Sequence, residues 1–318
     1  MDTIVEEKPQ SQFPLKPRFS VIIPAYNRAR LISTTVESIL SSEFPNFEVI
    51  VVVDGSKDGT KEVLQSFGTR IKLIIQEGQG AEAARARGAS EANGEYLAFL
   101  DDDDLLLPWS LQVYDKIICE LDSPPLVLGH MSYFEDGNVP FIQTGEEHSI
   151  EILKYRDYLS KEAPLSLSCS LVVVQKSVYD ASAERRNRLK AYPFDDLHLL
   201  LSMGTLTPCV LVTKPITVAK RIHASNFSSN VQIFVEGIVE LIRFESKGNY
   251  PGGPSRRFGR YAILGGMSWF WAGRGLKQGH YALALGLLVK SCPHLVAGAL
   301  NKMIRRGKST AVPIHFVR

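Results

Sequence analysis

The sequence predicts an α/β fold: a mostly parallel central sheet with helices on both faces, followed by a helical C-terminal segment. Three observations lead there. Short apolar runs alternate with amphipathic stretches through residues 19–100. The runs are near-continuous in Val, Ile and Leu, as strands buried on both faces are. From about residue 230 onward the apolar residues recur at helical spacing.

Taken in order, residues 1–17 are polar and carry Pro9, Pro14 and Pro17, so they read as a flexible tail. Phe19–Ile23 is a β-rich run stopped by Pro24, which cannot extend a central strand. Leu31, Ile32, Val36, Ile39 and Leu40 share one helical face. Phe47–Val53 is a strand ending at Asp54-Gly55. Val63, Leu64 and Phe67 suggest a second helix, Ile71–Ile75 a third strand, Ala81–Ala92 a helix by propensity, and Tyr96–Leu100 a fourth strand. Such alternation implies a parallel sheet whose ligands bind outside the carboxyl ends of its strands. Beyond 105 the pattern is mixed. Leu126–Leu128 and Ser170–Val174 look like strands, and Val210–Val218 holds one or two around Pro215. Ile233, Val235, Ile238, Leu241 and Ile242 form a helical stripe. Tyr250–Pro254 is a break, and helical runs follow at Tyr261–Phe270 and Tyr281–Val289.

The chain has 318 residues, enough for one large or two modest domains, and its net charge of +2 gives no support to a nucleic-acid binder. Cys119, Cys169, Cys209 and Cys292 are far apart and form no Cys-x-x-Cys pair, which argues against a zinc knuckle, a redox motif or a disulfide framework. The start of the chain has neither a basic region nor an apolar core, so it does not read as a secretory signal, and no run of about 18 apolar residues is present. A cytoplasmic location is the expectation.

Asp101–Asp104 carries the chemistry. An apolar run ends in four consecutive carboxylates, which repel one another beside a buried strand unless positive charge stands among them. A divalent cation is the simplest candidate, and hard oxygen ligands suit Mg²⁺ or Mn²⁺ bridging to phosphates. The plain alternative is a solvated acidic loop. If extended geometry persists, Asp101 and Asp103 point one way and Asp102 and Asp104 the other. Asp54 is a second acidic strand end on the same edge.

Four segments then resemble the family 2 inverting glycosyltransferases: Val21–Arg28, Val51–Thr60, Gly80–Gly88 and Gly94–Asp104, in that order. The resemblance implies a GT-A type, Rossmann-like fold. It divides the chain into the tail at 1–17, a catalytic domain at 18–228 and a helical region at 229–318. The nucleotide-binding half ends near 104 and the acceptor half follows. It implies that a turn at Pro24 presents Tyr26 to a nucleotide base and Arg28 to its phosphates. Asp54 would accept a hydrogen bond from the base, and Arg85 would hold Asp54 or reach the donor. Asp101 and Asp102 would join the donor site. Asp101 and Asp103 would meet the metal, which offsets charge on the departing nucleoside diphosphate. Phe194–His198 resembles the family's Glu-Asp motif with Asp195 in place of Glu, and makes Asp196 the base that takes the acceptor hydroxyl's proton. Arg221–Asn226 resembles a late segment whose histidine, His223, closes over the metal. Ala86 stands where the family usually has Asn. For each residue a structural alternative exists: a strand terminator, a tight loop, an exposed helical Arg, an acidic first helical turn.

The implied function is transfer of a sugar from a UDP-, dTDP- or GDP-linked donor to a saccharide or lipid-linked acceptor, with Mg²⁺ or Mn²⁺, in polysaccharide or glycoconjugate synthesis. The alternative is a catalytically degenerate nucleotide-sugar or partner-binding module of the same fold. Gly78-Gln79-Gly80-Ala81-Glu82-Ala83 also matches a dinucleotide fingerprint, but it follows the third strand rather than the first. A nucleotidyltransferase is disfavoured because Pro24–Arg28 lacks glycine. Ala282–Val289 beside Lys290, Lys302, Arg305 and Arg306 makes the C-terminal region a candidate for peripheral contact at the inner face of the membrane, against the plainer reading of a helical lid.

Overall fold

The chain begins with β1 (Phe19–Ala25), α1 (Ile32–Leu40), β2 (Phe47–Asp54), α2 (Thr60–Gln65), β3 (Lys72–Gln76), α3 (Ala81–Ser90), β4 (Tyr96–Phe99) and β5 (Leu105–Leu106). It continues through α4 (Ser110–Glu120), β6 (Leu126–Leu128), β7 (Met131–Glu135), β8 (Ile150–Tyr155), β9 (Val172–Gln175), α5 (Lys176–Ala181), α6 (Ala183–Arg186), α7 (Asp195–Ser202), β10 (Cys209–Lys214) and β11 (Val218–Ile222). The last elements are α8 (Val231–Ser246), α9 (Gly253–Lys277), α10 (Tyr281–Lys290), α11 (Cys292–Arg305) and β12 (Val312–Phe316). This is a computed structural model, and it describes residues 16–135, 149–160, 168–187, 189, 193–223, 230–305 and 312–316. The expected tail up to residue 15, Ala224–Asn226 of the late motif, and Arg306 lie outside the described residues.

Nine strands form one sheet in the order β12-β8-β10-β6-β9-β4-β1-β2-β3. The expected parallel character holds for its N-terminal half, where β3, β2, β1 and β4 all run together. β9 then enters antiparallel to both β4 and β6, and β8 runs antiparallel to β10 and β12, so the whole sheet is mixed. Helices cover both faces, as period-2 alternation along β1 and β2 requires. Ile22, Ile50 and Val52 pack with Ala84 and Ala89 of α3. Val21, Ile23, Val49, Val51 and Val53 pack on the other side with Ile32, Val36 and Ile39 of α1 and Leu64 of α2. Each such Val, Ile or Leu side chain contributes about 1.5–3 kcal/mol on burial.

Pro24 is a correction to the expected turn. It lies inside β1, opposite Val52. Pairing between β1 and β4 has already ended at Ile22 opposite Phe99, so Pro24 faces a strand on one side only and behaves as an edge residue. A second correction concerns the C-terminus. It is not helical throughout, because β12 returns to the large sheet beside β8, with Pro313 accommodated on this outermost strand.

α8 to α10 add to the apolar cluster on the α3 face rather than building a separate core. Phe234 stacks on Trp271 with ring centroids 3.8 Å apart, and Phe194 meets Phe234 edge-on. Asn230 caps α8 by accepting hydrogen bonds from the Gln232 and Ile233 backbone N–H groups. The buried Arg260 clamps the α8–α9 connection, donating to Glu245 at 2.7 Å and to the Pro251 and Gly253 carbonyls. A small second sheet, β5-β11-β7, sits beyond the end of β4 and brings β11 alongside the acidic run.

α3 approaches the sheet closely because Ala84 and Gly88 are one turn apart and small. A methyl group on Gly88 would meet Ile22 Cγ2 at 2.5 Å and Val52 Cγ2 at 3.3 Å. Gly88→Ala gains about 1 kcal/mol of helix propensity but overpacks two stiff β-branched side chains at a cost of about 1–3 kcal/mol. A net destabilisation is expected, read as a lower urea midpoint with an unchanged slope. A raised midpoint would show that α3 is not fixed by that contact.

Candidate active site

The acidic run is not extended. The Asp104 N–H donates to the Asp101 carbonyl at 3.2 Å, so residues 101–104 form a turn. The expected alternation of side chains is therefore corrected: each carboxylate meets its own set of partners. Asp101 accepts from Arg85 Nη2 at 2.8 Å and from Ser168 Oγ at 3.3 Å, with Lys220 Nζ at 3.6 Å. Asp102 accepts from the Tyr26 N–H at 2.9 Å and Arg28 Nε at 3.0 Å. Asp103 lies 3.4 Å from Arg28 Nη2 and 2.9 Å from His223 Nε2. Asp104 is fully buried and accepts from Ser170 Oγ at 2.7 Å, the Arg221 N–H at 3.2 Å and Lys220 Nζ at 3.4 Å.

These surroundings separate the carboxyls by acidity. Burial opposes ionisation of Asp101, but Arg85 and Lys220 outweigh it and bring that group down to about 2. Burial pushes Asp102 and Asp104 up to about 7; Arg28 and Lys220 respectively work against the rise, and neighbouring carboxylates add to it. Lys220 is held above its ordinary value despite burial, because Asp101, Asp104 and Asp103 surround it.

Arg85 links this turn to α7. It sits on α3, is 9% exposed at its side chain, and pairs with Asp101 on one side and Asp195 on the other. The expected contact with Asp54 is thus replaced by two carboxylates that arrive from distant parts of the chain. Asp195 and Asp196 form the first turn of α7, where the helix dipole favours negative charge. Asp196 accepts from the Leu197 N–H at 2.6 Å. Burial, then the Asp195 charge, push its carboxyl up to about 7. His198, by contrast, is a core residue bonded to the Tyr250 hydroxyl and the Arg186 carbonyl.

The turns after β1 and β2 are laced together. Asn27, at φ +51°, accepts the Lys57 N–H and donates its own N–H to Ser56 Oγ. The Arg28 N–H donates to Thr60 Oγ1 and the Ala29 N–H to Asp58. This leaves the Tyr26 ring 56% exposed at the strand ends. Asp54 stands at the end of β2. Its oxygens accept from Gln76 Nε2, the Gln79 N–H and the Gly80 N–H at 2.7–2.8 Å, so it organises the loop that opens α3 and keeps about one of its roughly four acceptor positions. Gly55 is required there: its φ is +76°, and a Cβ would lie 2.8 Å from the Gly78 nitrogen.

Among the described residues no group of three or more His, Cys, Asp or Glu is arranged to hold a metal ion. The expected set of Asp101, Asp103 and His223 is therefore not assembled, since Arg85, Ser168 and Lys220 engage Asp101. Asp103 and His223 do fit: a hard carboxylate oxygen and a borderline imidazole nitrogen lie 2.9 Å apart, and phosphate and water complete such spheres. The structure thus gathers Tyr26, Arg28, Arg85, Asp101–Asp104, Asp195, Asp196 and His223 around the ends of β1 and β4, with Asp54 at the end of β2 and Pro24 inside β1. Sequence reasoning missed Lys220, Ser168 and Ser170. The signal for Lys220 was its place directly before Arg221-Ile222-His223.

Comparisons with known proteins agree with this architecture. The family model for "Glycosyl transferase family 2" matches residues 20–169. The putative teichuronic acid biosynthesis glycosyltransferase TuaG of Bacillus subtilis is 33% identical over 167 residues, which is 51% of this chain and 63% of TuaG. Glycosyltransferase GlyG of Streptococcus pneumoniae is 32% identical over 149 residues, covering 45% of this chain and 50% of GlyG. The GalNAc(5)-diNAcBac-PP-undecaprenol beta-1,3-glucosyltransferase of Campylobacter jejuni is 35% identical over 150 residues, covering 45% of this chain and 48% of that enzyme. The chain spans about half the length of the curated relatives it matches. In fold, it resembles S. aureus TarS 1–349 solved with UDP-GlcNAc, at a TM-score of 0.64 and 18% identity over 92% of each chain. Residues 20–169, which carry the strand-end carboxylates and Arg85, are the part of the chain that matches the glycosyl transferase family 2 model.

Proposed function

We propose that the chain is a metal-dependent, inverting glycosyltransferase acting in cell-surface polysaccharide or glycoconjugate synthesis. The observation that carries this reading is Arg85, which ties the donor-side carboxylate Asp101 to the start of α7, where Asp196 is poised near neutrality. A base works best when its acidity lies near the working pH.

On this reading the donor is a UDP-, dTDP- or GDP-linked sugar. The exposed Tyr26 ring stacks on the base, and Arg28 and Lys220 supply positive charge on the phosphate side. Asp103 and His223 would hold the Mg²⁺ or Mn²⁺, which when bound offsets charge on the departing diphosphate. Asp196 takes the acceptor hydroxyl's proton as its oxygen bonds to the anomeric carbon. The bond from that carbon to the diphosphate oxygen breaks on the opposite face, which inverts the centre. Asp195 and Arg85 position Asp196 without touching substrate. The acceptor is a saccharide or a lipid-linked glycan, the second in keeping with the undecaprenol named for the Campylobacter relative. The reaction then occurs in the cytoplasm, with peripheral contact at the inner face of the membrane.

A panel of nucleotide sugars that includes UDP-GlcNAc tests the assignment. Asp196→Asn is expected to keep donor binding within about threefold but to lower nucleoside diphosphate release by about 10²–10⁴-fold, the usual contribution of general base catalysis. Unchanged release would put the base elsewhere. Donor binding by the wild type with no release under any acceptor would favour the catalytically inactive binding module.

The pH dependence has a defined sign. Asp196 must be ionised to accept a proton, so kcat/KM is expected to rise about tenfold per pH unit below about 7 and to level above it. A profile flat between pH 5 and 8 would remove Asp196 from the role.

Asp103→Ala tests the metal pair. In the wild type, Mn²⁺ and UDP together are expected to raise the melting temperature more than UDP alone. The variant should lose that increment while keeping the response to UDP alone. An increment retained in full would place the ion on other ligands.

A further inference from the structure

The charge of this chain is segregated. No Asp or Glu follows Glu245, whereas twelve Lys and Arg do. Glu245 itself is engaged by Arg260 and Arg257, and Arg256 reaches back to Asp157. The remaining cations downstream have no acidic side chain in their own segment.

The same segment carries the large exposed apolar side chains. On α9, Phe258, Trp269 and Leu276 are exposed and spaced by eleven and seven residues, close to whole helical turns, so they share one stripe. On α10, Tyr281, Leu285 and Val289 follow at intervals of four, opposite the buried Ala284 and Leu287. On α11, Val296, Leu300 and Met303 follow at intervals of four and three. Trp269 is 68% and Val289 76% exposed. α9 packs against both α10 and α11, so the three stripes belong to one bundle. Lys277 and Lys290, both exposed, adjoin Leu276 and Val289. Among the described residues no single helix is long and apolar enough to cross a membrane; α10 and the first part of α11 pass that test only as a pair bent by 71°.

We infer that the exposed apolar stripes of α9, α10 and α11, with their basic flanks, form a docking surface for an anionic lipid bilayer. Three features select this occupant. Exposed apolar residues bordered by Lys and Arg match the acyl boundary and the phosphate layer of such a surface. Trp269 and Tyr281 are the amphipathic ring types that sit at headgroup level. A second copy of this chain is disfavoured, because a two-fold contact through these stripes would bring like positive charges together, the acids Glu236 and Glu240 of α8 lining only the groove beside Lys290. The bent α10–α11 pair fits a helix pair lying in the interface rather than a span. This deepens the reading of peripheral contact given above and is independent of the chemistry assigned to Asp196.

Flotation of the full chain with vesicles decides it. The protein is expected to float with phosphatidylglycerol–phosphatidylcholine vesicles and not with phosphatidylcholine alone, and to release as salt is raised. Each Lys near an anionic surface is worth about fivefold in binding, so Lys277→Glu with Lys290→Glu should weaken flotation at least about 10-fold. Trp269→Ser, Leu285→Ser and Val289→Ser combined should do likewise. All five positions are exposed, and both variants should keep the wild-type affinity for UDP-GlcNAc. Absence of wild-type flotation, equal binding to uncharged vesicles, or a dimer that the serine variant dissociates without any lipid binding would each overturn the assignment. Flotation without affinity for any nucleotide sugar would leave this surface standing and remove the proposed donor chemistry.

Discussion

Six carboxylates, Asp101–Asp104 with Asp195 and Asp196, converge where β4 ends, and the structure there depends on protein cations standing between them. Isolated buried charges cost several kcal/mol each, and removing one partner of a buried pair costs about 3–5 kcal/mol. Arg85, Arg28 and Lys220 therefore have a structural task of their own. They allow a turn of four acids to sit against the end of a buried strand. Arg85 carries the greatest structural consequence, because its two partners lie 16 and 110 residues away along the chain. It couples the position of α7 to the position of the acidic turn.

That arrangement also sorts the acids by task. Asp101 stands beside two cations and stays ionised down to about pH 2, so it is a permanent negative charge. Asp196 has a buried environment and an acidic neighbour, and it titrates near 7. Two groups of one chemical type, pushed apart by surroundings, are what an enzyme needs to hold a charge at one point and move a proton at another. Asp195 connects them: its negative charge raises Asp196, and its ion pair with Arg85 keeps α7 against the sheet. Asp in place of the longer Glu at 195 still reaches Arg85, so the departure from the family pattern does not break this link.

Much of the framework was legible in the sequence, for identifiable reasons. β1, β2 and β4 are near-continuous apolar runs that are then found largely buried, α1 carries a helical apolar stripe, and the two faces of β1 and β2 separate cleanly into two clusters, whereas β3 at the sheet's edge is only partly buried. The site was less legible, because its geometry is set by turns and long-range partners. The alternation expected for Asp101–Asp104 fails since the chain folds back on itself at Asp104. Pro24 stays in its strand because β4 stops opposite Ile22, and strand lengths are not written locally. Lys220 reaches the acids from β11, and Ser168 and Ser170 from the segment just before β9, across separations of more than 50 residues. β5, β7 and β8 were missed as well; β5 has two residues, and β7 and β8 run beside neighbours that no local pattern identifies.

The two charge arrangements of this chain obey one rule with opposite outcomes. At the end of β4, acids outnumber the cations around them, and burial raises three of those carboxyls toward neutrality, so the imbalance is met partly by protons. In the C-terminal helices the imbalance has the reverse sign and a different remedy. Lys and Arg do not release protons at neutral pH, so their charge is offset only by acids elsewhere in the chain or by anions outside it. Glu245 and Asp157 engage Arg256, Arg257 and Arg260, and those pairs lie at the start of α9. Beyond that point the sequence offers cations and apolar side chains in alternation with no acid at all. On the readings proposed above, an acidic pocket suited to a cation and a basic bundle suited to an anionic surface sit on one scaffold, held together by the shared apolar cluster beneath α3, α7, α8 and α9.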